Sequence, residues 1–450
     1  MAHEDLSSGL TSRGRAQRPT RARYWVIVFA VTLAIITYID RVCISQAAPS
    51  IREALGLNDA QMGKVFAAFG LAYALFEIPS GWWGDKLGPR QVLMRVVLWW
   101  SFFTAATGQV WSLASLWVTR FMFGAGEAGC FPNLTKAFTL WLPKAERTRA
   151  QGIMWMSARW GGAFTPLLVV FIFSLVSWRY AFAIFGLLGV VWAVVFYLWF
   201  RDRPREHPSV NAAELELLKD NEANIAGHAN VPWGRMIASP TVWGLWGQYF
   251  CISYGWYFYI TWLPTYLQEE RGVALGKSAF LAGLPLFFGG AGCLLAGFLL
   301  GWCVRHAVSV TFSRRLLGFV GCAAASGLLL WSAYIKDPRL AMVSMGLAGF
   351  ANDLTLPGAW SACMDVGGRF AGTLSGSMNM MGNFGGMAGP LVVGQILQFT
   401  NRNWEITFWL SSAIYFLGAL CWLFIDPVTP LEGAKVVAQP SRPAGEPARV

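Results

Sequence analysis

The sequence predicts an all-α membrane protein of twelve transmembrane helices, and three observations support this. Of its 450 residues, 55% are apolar and only 13% are charged, whereas soluble globular chains carry near 25%. Apolar runs of about 18 to 25 residues recur, each long enough to cross a bilayer as a helix. The longest polar insertion divides these runs six and six. This pattern excludes a soluble enzyme, and it excludes an outer-membrane barrel, whose strands are segments of ~10 alternating residues.

The apolar runs give the order of the elements along the chain. We place the spans at residues 24–46, 61–82, 91–111, 114–139, 149–173, 179–200, 240–267, 278–302, 314–334, 339–364, 372–397 and 403–425. The organisation that follows is a disordered cytoplasmic tail (1–23), a six-helix domain (24–200), a cytoplasmic linker (201–239), a second six-helix domain (240–425) and a cytoplasmic tail (426–450). The first tail lacks a short apolar core with a cleavage site, so the first span is expected to be uncleaved.

The distribution of basic residues predicts the orientation. Of the 35 lysines and arginines, 23 fall at the cytoplasmic side of these spans, 7 at the other side and 5 within them. This asymmetry follows the positive-inside rule and places both termini in the cytoplasm. It explains the net charge of +11 without a nucleic-acid partner. The expected partners are the lipid bilayer and small solutes, and a monomer is expected.

The two halves of the chain repeat one another. The string Trp160-Gly-Gly-Ala-Phe-Thr-Pro-Leu-Leu-Val169 in the fifth span aligns with Phe384-Gly-Gly-Met-Ala-Gly-Pro-Leu-Val-Val393 in the eleventh. The offset is 224 residues, and Gly152 maps onto Gly376 at the same offset. A match in the fifth of six spans in each half predicts a duplicated architecture.

Strings that imitate enzyme motifs do not predict catalysis or a cofactor. The glycines of Gly124-Ala-Gly-Glu-Ala-Gly129 lie in an apolar helix rather than after a strand, so they indicate close helix packing. The string Gly272-Val-Ala-Leu-Gly-Lys-Ser278 is one residue short of a phosphate-binding loop. No cysteine belongs to a Cys-x-x-Cys pair, and the four histidines fall outside the spans. We therefore expect no enzyme, cofactor or metal, and any proton carrier at membrane depth must be a carboxylate.

Ionisable residues within spans are costly and usually functional. The first span carries Asp40 and Arg41, and the fourth carries Arg120 and Glu127 about 10 Å apart on one face. Helix depth places Asp40, Arg41 and Arg120 at one outer level, with both arginines beside Asp40 and Glu127 nearer the midplane. These charges are either structural ion pairs that hold the bundle together or a binding site, and their convergence favours the site.

Further polar residues converge at middle depth. Arg159 in the fifth span has no acid one turn away, so it is the best candidate to meet a substrate carboxylate. Asn379 and Asn383 reach comparable depth in the eleventh span, and Asn383 is the repeat partner of Arg159. Glu77 in the second span and Asp353 in the tenth are ambiguous between cavity-lining acids and neutral hydrogen-bonded groups. Tyr73 lies one turn from Glu77, which singles out this tyrosine among the aromatics.

Several motifs resemble a known family. The loop Gly81-Trp-Trp-Gly-Asp-Lys-Leu-Gly-Pro-Arg90 is similar to the loop signature of the major facilitator superfamily. More specific strings resemble its anion:cation symporter family, which includes bacterial galactonate, hexuronate, glucarate, tartrate and phthalate carriers. These strings are Tyr38-Ile-Asp-Arg41, Gly124-Ala-Gly-Glu-Ala-Gly-Cys-Phe-Pro132, Trp141-Leu-Pro-Lys-Ala-Glu-Arg-Thr-Arg-Ala-Gln-Gly152, Trp262-Leu-Pro-Thr-Tyr-Leu267 and Gly376-Ser-Met-Asn-Met-Met-Gly-Asn383.

The resemblance implies the major facilitator fold, two six-helix domains with inverted repeats, in a bacterial inner membrane. It also implies roles for particular residues. The implied proton-coupling residues are Asp40, Glu127, Arg41 and Arg120, the implied substrate neighbour is Tyr73, and the loop signature gives the gating-loop residues Asp85 and Arg90. The other substrate-binding candidates come from their place in the spans and are Arg159, Asn379, Asn383, Tyr38 and Glu77. Two departures from the family pattern are Glu77, where glutamine is expected, and the added acid Asp353.

The predicted function is import of a small organic anion, such as a hexonate, hexuronate or glucarate, by proton symport with alternating access. One alternative is an organic-anion or phosphate-ester exchanger without obligatory proton coupling, and the acids Asp40 and Glu127 argue against it. A membrane sensor on a carrier scaffold is a second alternative, but the tails are too short to fold as a signalling domain.

Overall fold

The computed structural model describes residues 18–224, 230–273, 281, 283–306 and 308–431, and this part of the chain is helical without a strand. The first half contains α1 (Arg23–Leu55), α2 (Asp59–Leu87), α3 (Pro89–Thr107), α4 (Leu113–Glu127), α5 (Cys130–Trp141), α6 (Lys144–Leu175) and α7 (Trp178–Trp199). The remaining helices are α8 (Ala212–Leu218), α9 (Trp233–Ala238), α10 (Pro240–Thr261), α11 (Leu263–Glu269), α12 (Leu284–Arg305), α13 (Val310–Tyr334), α14 (Pro338–Asp353), α15 (Leu356–Gly367), α16 (Ala371–Phe399) and α17 (Trp404–Phe424).

Seven helices in these ranges are long and apolar enough to cross a membrane. They are α1, α2, α6, α7, α12, α13 and α17. The other predicted spans fall on α3, α10 and α16 and on two pairs of shorter helices. The outer surface is apolar: Leu167, Leu391 and Phe399 are 71%, 65% and 82% exposed, which fits contact with lipid rather than with water. The first span was predicted at 24–46, but its helix continues to Leu55.

Spans 114–139 and 339–364, predicted as single helices, are each divided in two. The first division separates α4 from α5 directly after Glu127, and the second separates α14 from α15 directly after Asp353. Pro132 and Pro357 lie in the first turns of the new helices, where the missing N–H of a proline leaves no helix hydrogen bond unmade. Proline alone does not divide a helix here, because Pro166 and Pro390 lie inside continuous helices. In both divided spans an acid lies at the interruption.

The most extensive contacts between the halves are two helix pairs, α2 with α16 and α6 with α12. The two glycines matched at the 224-residue offset lie on these pairs. A Cβ at Gly152 would collide with the backbone of α12 at Cys293 and Gly297, and a Cβ at Gly376 would collide with the Glu77 carbonyl of α2. Both positions therefore require glycine for the close approach of two helices. The repeated glycines thus occupy equivalent contacts between the halves.

Candidate functional site: a charged cavity between the halves

A cavity of about 280 Å³ lies between the two halves. Its lining includes five of the six predicted substrate-binding side chains, which are Tyr38, Tyr73, Arg159, Asn379 and Asn383. The sixth, Glu77, is buried behind the two asparagines. Arg41 also lines the cavity, together with Tyr249, Trp256 and Tyr257 of α10. The helices therefore bring residues that are hundreds of positions apart in the chain to one polar space.

Arg41 is surrounded by aromatic rings, on the side of the cavity that the first half forms. Its Nε donates to Glu127 of α4. Its guanidinium is 4.6 Å from the centroid of the Tyr73 ring and 5.7 Å from that of Tyr38. Its side chain is 22% exposed, and Nη2 has no hydrogen-bond partner in the described ranges. Arg41, expected beside Asp40, thus forms its ion pair with Glu127, and its side chain stays partly exposed at the cavity.

Arg159 has an acidic partner that its sequence neighbourhood does not reveal. Its Nε and Nη2 donate to the two carboxylate oxygens of Asp353 at 2.7 and 3.1 Å, so the guanidinium binds Asp353 as a fork. The guanidinium also lies 3.7 Å from the Trp256 ring centroid. Nη1 is 3.5 Å from the Tyr38 hydroxyl, at the edge of the cavity. This ion pair joins α6 of the first half to α14 of the second.

Glu77 connects α2 to α16 through neutral donors. The side-chain amides of Asn379 and Asn383 both donate to its carboxyl group, the latter at 3.1 Å. The Asn383 amide also donates to the Asn379 carbonyl at 3.1 Å. Glu77 is fully buried, and no ion pair of this carboxyl is found among the described residues. Glu77 therefore differs from Glu127 and Asp353, each of which has an arginine partner.

Asp40 and Arg120 are buried and incompletely hydrogen-bonded. Asp40 Oδ2 accepts from the Trp100 indole at 3.1 Å, while Oδ1 has no partner in the part of the chain described. Arg120 interacts electrostatically with Asp40 and Glu127, yet its Nε and Nη1 likewise lack hydrogen-bond partners there. Buried polar atoms without partners are costly.

One end of the cavity is closed by contacts that we call the sealed end, defined by Asp85, Lys136, Arg147 and Asp365. The Asp85 carboxylate accepts from the backbone N–H groups of Gly372 and Thr373 at 3.0 and 2.6 Å. It also accepts from the Thr373 hydroxyl at 2.6 Å. These groups open α16, so Asp85 of one half caps the N-terminus of a helix in the other, where a carboxylate is favoured.

A second acid closes the same end, and this acid belongs to the second half and contacts the first. Asp365 of α15 accepts from Arg147 in the first turns of α6 at 2.7 Å, and from Arg314 of α13 at 2.8 Å. Lys136 of α5 lies 3.3 Å from Asp85 and donates to the Asn224 carbonyl at 2.9 Å. Each half therefore supplies an acid to the start of a long helix in the other half: Asp85 to α16, and Asp365 to α6.

Arg90 does not take part in this closure through any contact described. Its guanidinium donates to the Tyr197 carbonyl at 3.1 and 2.8 Å and lies over the Tyr197 ring. Its backbone N–H donates to Asp202 at 3.0 Å. Gly88 beside it has φ 87° and faces Asp202, so a side chain would be strained and crowded there. Burial raises the pKa of Asp202, in the segment after α7, to about 6.

Sequence reasoning missed five members of these networks. Lys136, Arg147, Arg314 and Asp365 were not singled out, and Asp353 was left without a role. Lys136 was visible as a lysine within a predicted span, which is a signal of a buried partner. Asp365 follows directly after the tenth predicted span, where an acid is unremarkable unless the arginines opposite it are known.

With the geometry described, comparison with known proteins identifies the family. Residues 30–390 match the model of the Major Facilitator Superfamily. The chain belongs to this superfamily. A proton:xylose symporter of the superfamily, solved with 6-bromo-6-deoxy-D-glucose bound, superimposes with a TM-score of 0.72 at 13% identity over 90% of this chain and 96% of that one. A fucose:proton symporter of E. coli gives a TM-score of 0.70 at 13% identity, covering 90% and 99%. These likenesses show the fold.

Curated relatives of this superfamily member carry names of organic-anion transporters. A probable sulfoacetate transporter of Cupriavidus necator is 36% identical over 428 residues, covering 95% of this chain and 97% of that protein. A D-galactonate transporter of Escherichia coli O6:H1 is 30% identical, covering 91% and 97%. A probable galactarate/D-glucarate transporter of Escherichia coli K12 is 29% identical, covering 91% and 96%. The chain is accordingly a transporter of the superfamily and not an enzyme.

Proposed function

We propose that this protein imports a small organic anion by proton symport. The observation that supports this most is the pair of arginines on one cavity, each held by a buried acid, Arg41 by Glu127 and Arg159 by Asp353. A cavity with fixed cations selects anions, and buried acids that exchange partners can bind protons. The names of the relatives point to sulfonated or sugar-derived carboxylic acids as the substrate class.

In this proposal the carboxylate of the substrate binds the arginines of the cavity. Arg41 is the more accessible anchor, because its side chain is 22% exposed against 9% for Arg159. Arg159 is the second anchor, as its charge and fork geometry suit a carboxylate. Tyr38 and Tyr73 flank the anchors, and Asn379 and Asn383 supply amide groups for hydroxyls. An anion that binds Arg41 competes with Glu127 for the guanidinium.

Protons enter this mechanism through Asp40 and Glu127. If the substrate takes over Arg41, Glu127 loses the cation that donates a hydrogen bond to it in a buried site, which favours the neutral carboxyl. Arg120, which interacts with both acids, couples the proton on Asp40 to that on Glu127. Substrate occupancy and protonation then rise together, which is the requirement for symport.

Alternating access follows from the two halves rocking about the cavity. Helices satisfy their own backbone, so the cavity is the polar route across the bilayer. We place the sealed end at the cytoplasmic face, because the positive-inside count assigns the α2–α3 loop to that face. In this state the site is reached from outside, and release into the cell requires Asp85 to leave α16 and Asp365 to leave Arg147.

Transport in proteoliposomes tests the proposal. Vesicles holding the purified protein are offered labelled sulfoacetate, D-galactonate or D-glucarate, with the outside one pH unit more acidic than the inside. We expect at least one of these anions to accumulate inside above its external concentration, and a protonophore to abolish the accumulation. Exchange of internal for external anion without pH-driven accumulation would instead identify an exchanger. Failure of all three anions to enter would refute the assignment of substrate class.

A further inference from the structure

The two arginines line one cavity of about 280 Å³, and the same tyrosine contacts both. The Arg41 guanidinium is 5.7 Å from the Tyr38 ring centroid, and Arg159 Nη1 is 3.5 Å from the hydroxyl of the same tyrosine. Tyr38 thus contacts both cations, Arg41 through its ring and Arg159 through its hydroxyl. Nη2 of Arg41 is buried without a hydrogen-bond partner among the described residues, and Nη1 of Arg159 has only the long contact with the Tyr38 hydroxyl.

The acid that holds Arg159 differs from the one that holds Arg41. Glu127 belongs to the same half as Arg41, whereas Asp353 belongs to the opposite half from Arg159. Asp353 is the last residue of α14, where the helix dipole disfavours an anion. Apart from Arg159, it accepts a hydrogen bond from the side chain of Asn352 at 2.8 Å. The Asp353 charge is therefore compensated by Arg159.

No second cation in the described part of the chain contacts Asp353. The groups that face it from neighbouring helices are the thiol of Cys293 on α12 and, at longer range, the hydroxyls of Tyr259 on α10 and Tyr415 on α17. All three are neutral at ordinary pH. A carboxylate that lost Arg159 here would be a buried charge without a counter-ion, which is strongly unfavourable unless it takes up a proton.

We propose that Arg159 and Asp353 form a second anion subsite, in which Asp353 is the resident counter-ion that the second anionic group of a dianionic substrate displaces. This inference rests on the proposed function, and it narrows the substrate class to short dianions whose first group binds Arg41. On displacement, the substrate's second group replaces the carboxylate on the Arg159 fork, and Asp353 takes up one proton. The link between the halves at this pair is broken in the same step.

Calorimetric binding to the purified wild-type protein and two variants tests the subsite. Galactarate and D-galactonate form a matched pair of ligands, because they differ at one end by a carboxylate in place of a hydroxymethyl group; sulfoacetate serves as a shorter dianion. Asp353→Asn removes the competing anion. Asp337→Asn is the control, since Asp337 caps the other end of α14 through backbone N–H groups and asparagine keeps that role.

Asp353→Asn is expected to bind galactarate or sulfoacetate at least about tenfold more tightly than wild type, the effect of roughly one charged hydrogen bond. D-Galactonate, which leaves the pair intact, should change less than about threefold. Titrations in two buffers of different ionisation enthalpy should show one proton fewer taken up with the dianion by Asp353→Asn than by wild type. Asp337→Asn should match wild type in every respect.

Other results would contradict either the subsite alone or the subsite together with the proposed function. Weaker dianion binding by Asp353→Asn, or an equal change for all ligands, would show that the pair only fastens α6 to α14, and would leave the proposed function standing. If wild type binds none of the three anions, the proposed function and this inference fall together. Should Asp353→Asn not fold, Arg159→Gln with Asp353→Asn leaves no unpaired charge; it is expected to lose all preference for the dianion, and a retained preference refutes the subsite.

Discussion

Replacing Asp85 by asparagine should open the sealed end. In wild type the carboxylate accepts from Gly372 N–H, Thr373 N–H and the Thr373 hydroxyl, and it lies 3.3 Å from the Lys136 ammonium. Asparagine keeps one acceptor oxygen and nearly the same shape, but it loses the charge and the second acceptor. The perturbation therefore acts on the contact between halves and leaves the packing of α2 unchanged.

The magnitude follows from those contacts. Hydrogen bonds to a charged group contribute about 1.5–3 kcal/mol against about 0.5–1.5 kcal/mol for neutral ones. Lys136 is fully buried and would lose its carboxylate, a further cost that only an opened end can relieve. We expect the closed arrangement to lose about 2–4 kcal/mol relative to the open one, which is a shift of roughly 30- to 1,000-fold in their ratio.

Spin labels at the sealed end of the two halves, measured by pulsed electron resonance in nanodiscs, report this ratio as a distance distribution. Asp85→Asn should move the population from the shorter to the longer distance. Arg90→Lys is the matched control from the same loop, since the contacts of Arg90 lie within the first half, and it should keep the wild-type distribution. An unchanged distance distribution in Asp85→Asn would refute the prediction that Asp85 holds the sealed end closed.

Three further predictions concern the cavity and its surroundings. Arg159→Lys keeps the charge but loses the fork, so binding of a dianion such as galactarate should weaken about tenfold or more by calorimetry while the melting temperature stays near that of wild type; unchanged affinity would contradict the anchor. Glu127→Gln should retain anion counterflow in proteoliposomes but lose the roughly tenfold accumulation that one coupled proton supports per pH unit; continued accumulation would exclude Glu127 as the coupling acid. Asp202, whose pKa is raised to about 6, holds its proton in the folded protein between about pH 4 and 6, so its contribution to stability falls as pH rises through that range. Asp202→Asn should therefore become more stable than wild type above pH 6, by at most about 3 kcal/mol, and equal thermal shifts at pH 4.5 and 7.5 would refute this.

The sequence predicted the fold class because a helix that crosses a membrane needs about 20 mostly apolar residues, and such runs are visible in the sequence. Runs of apolar residues and the sides on which lysine and arginine fall are local signals, readable one segment at a time. The repeat was equally local, and the glycines it matched lie at equivalent helix contacts. The two divided spans were missed because proline is an ambiguous signal: Pro132 and Pro357 lie in the first turns of new helices, whereas Pro166 and Pro390 lie inside continuous ones.

The partners of the buried charges could not be predicted in the same way. Helix depth correctly brought Arg159, Asn379 and Asn383 to one cavity, because depth depends on counting residues along a helix. Pairing depends on how helices rotate and cross, which the sequence does not encode locally. Arg159 therefore looked unpaired although Asp353, 194 positions away, binds it. Arg41 was assigned to the adjacent Asp40, while the helix packing turns it toward Glu127.

The central claim is that an organic anion and a proton cross together, and movement of protons tests it most directly. Vesicles loaded with a pH-sensitive dye, without any imposed gradient, are mixed with external sulfoacetate or galactarate. Proton symport through this cavity predicts that the lumen acidifies as the anion enters, and that Glu127→Gln vesicles acidify less for each anion that enters. Entry of the anion into wild-type vesicles at constant lumenal pH would contradict the account.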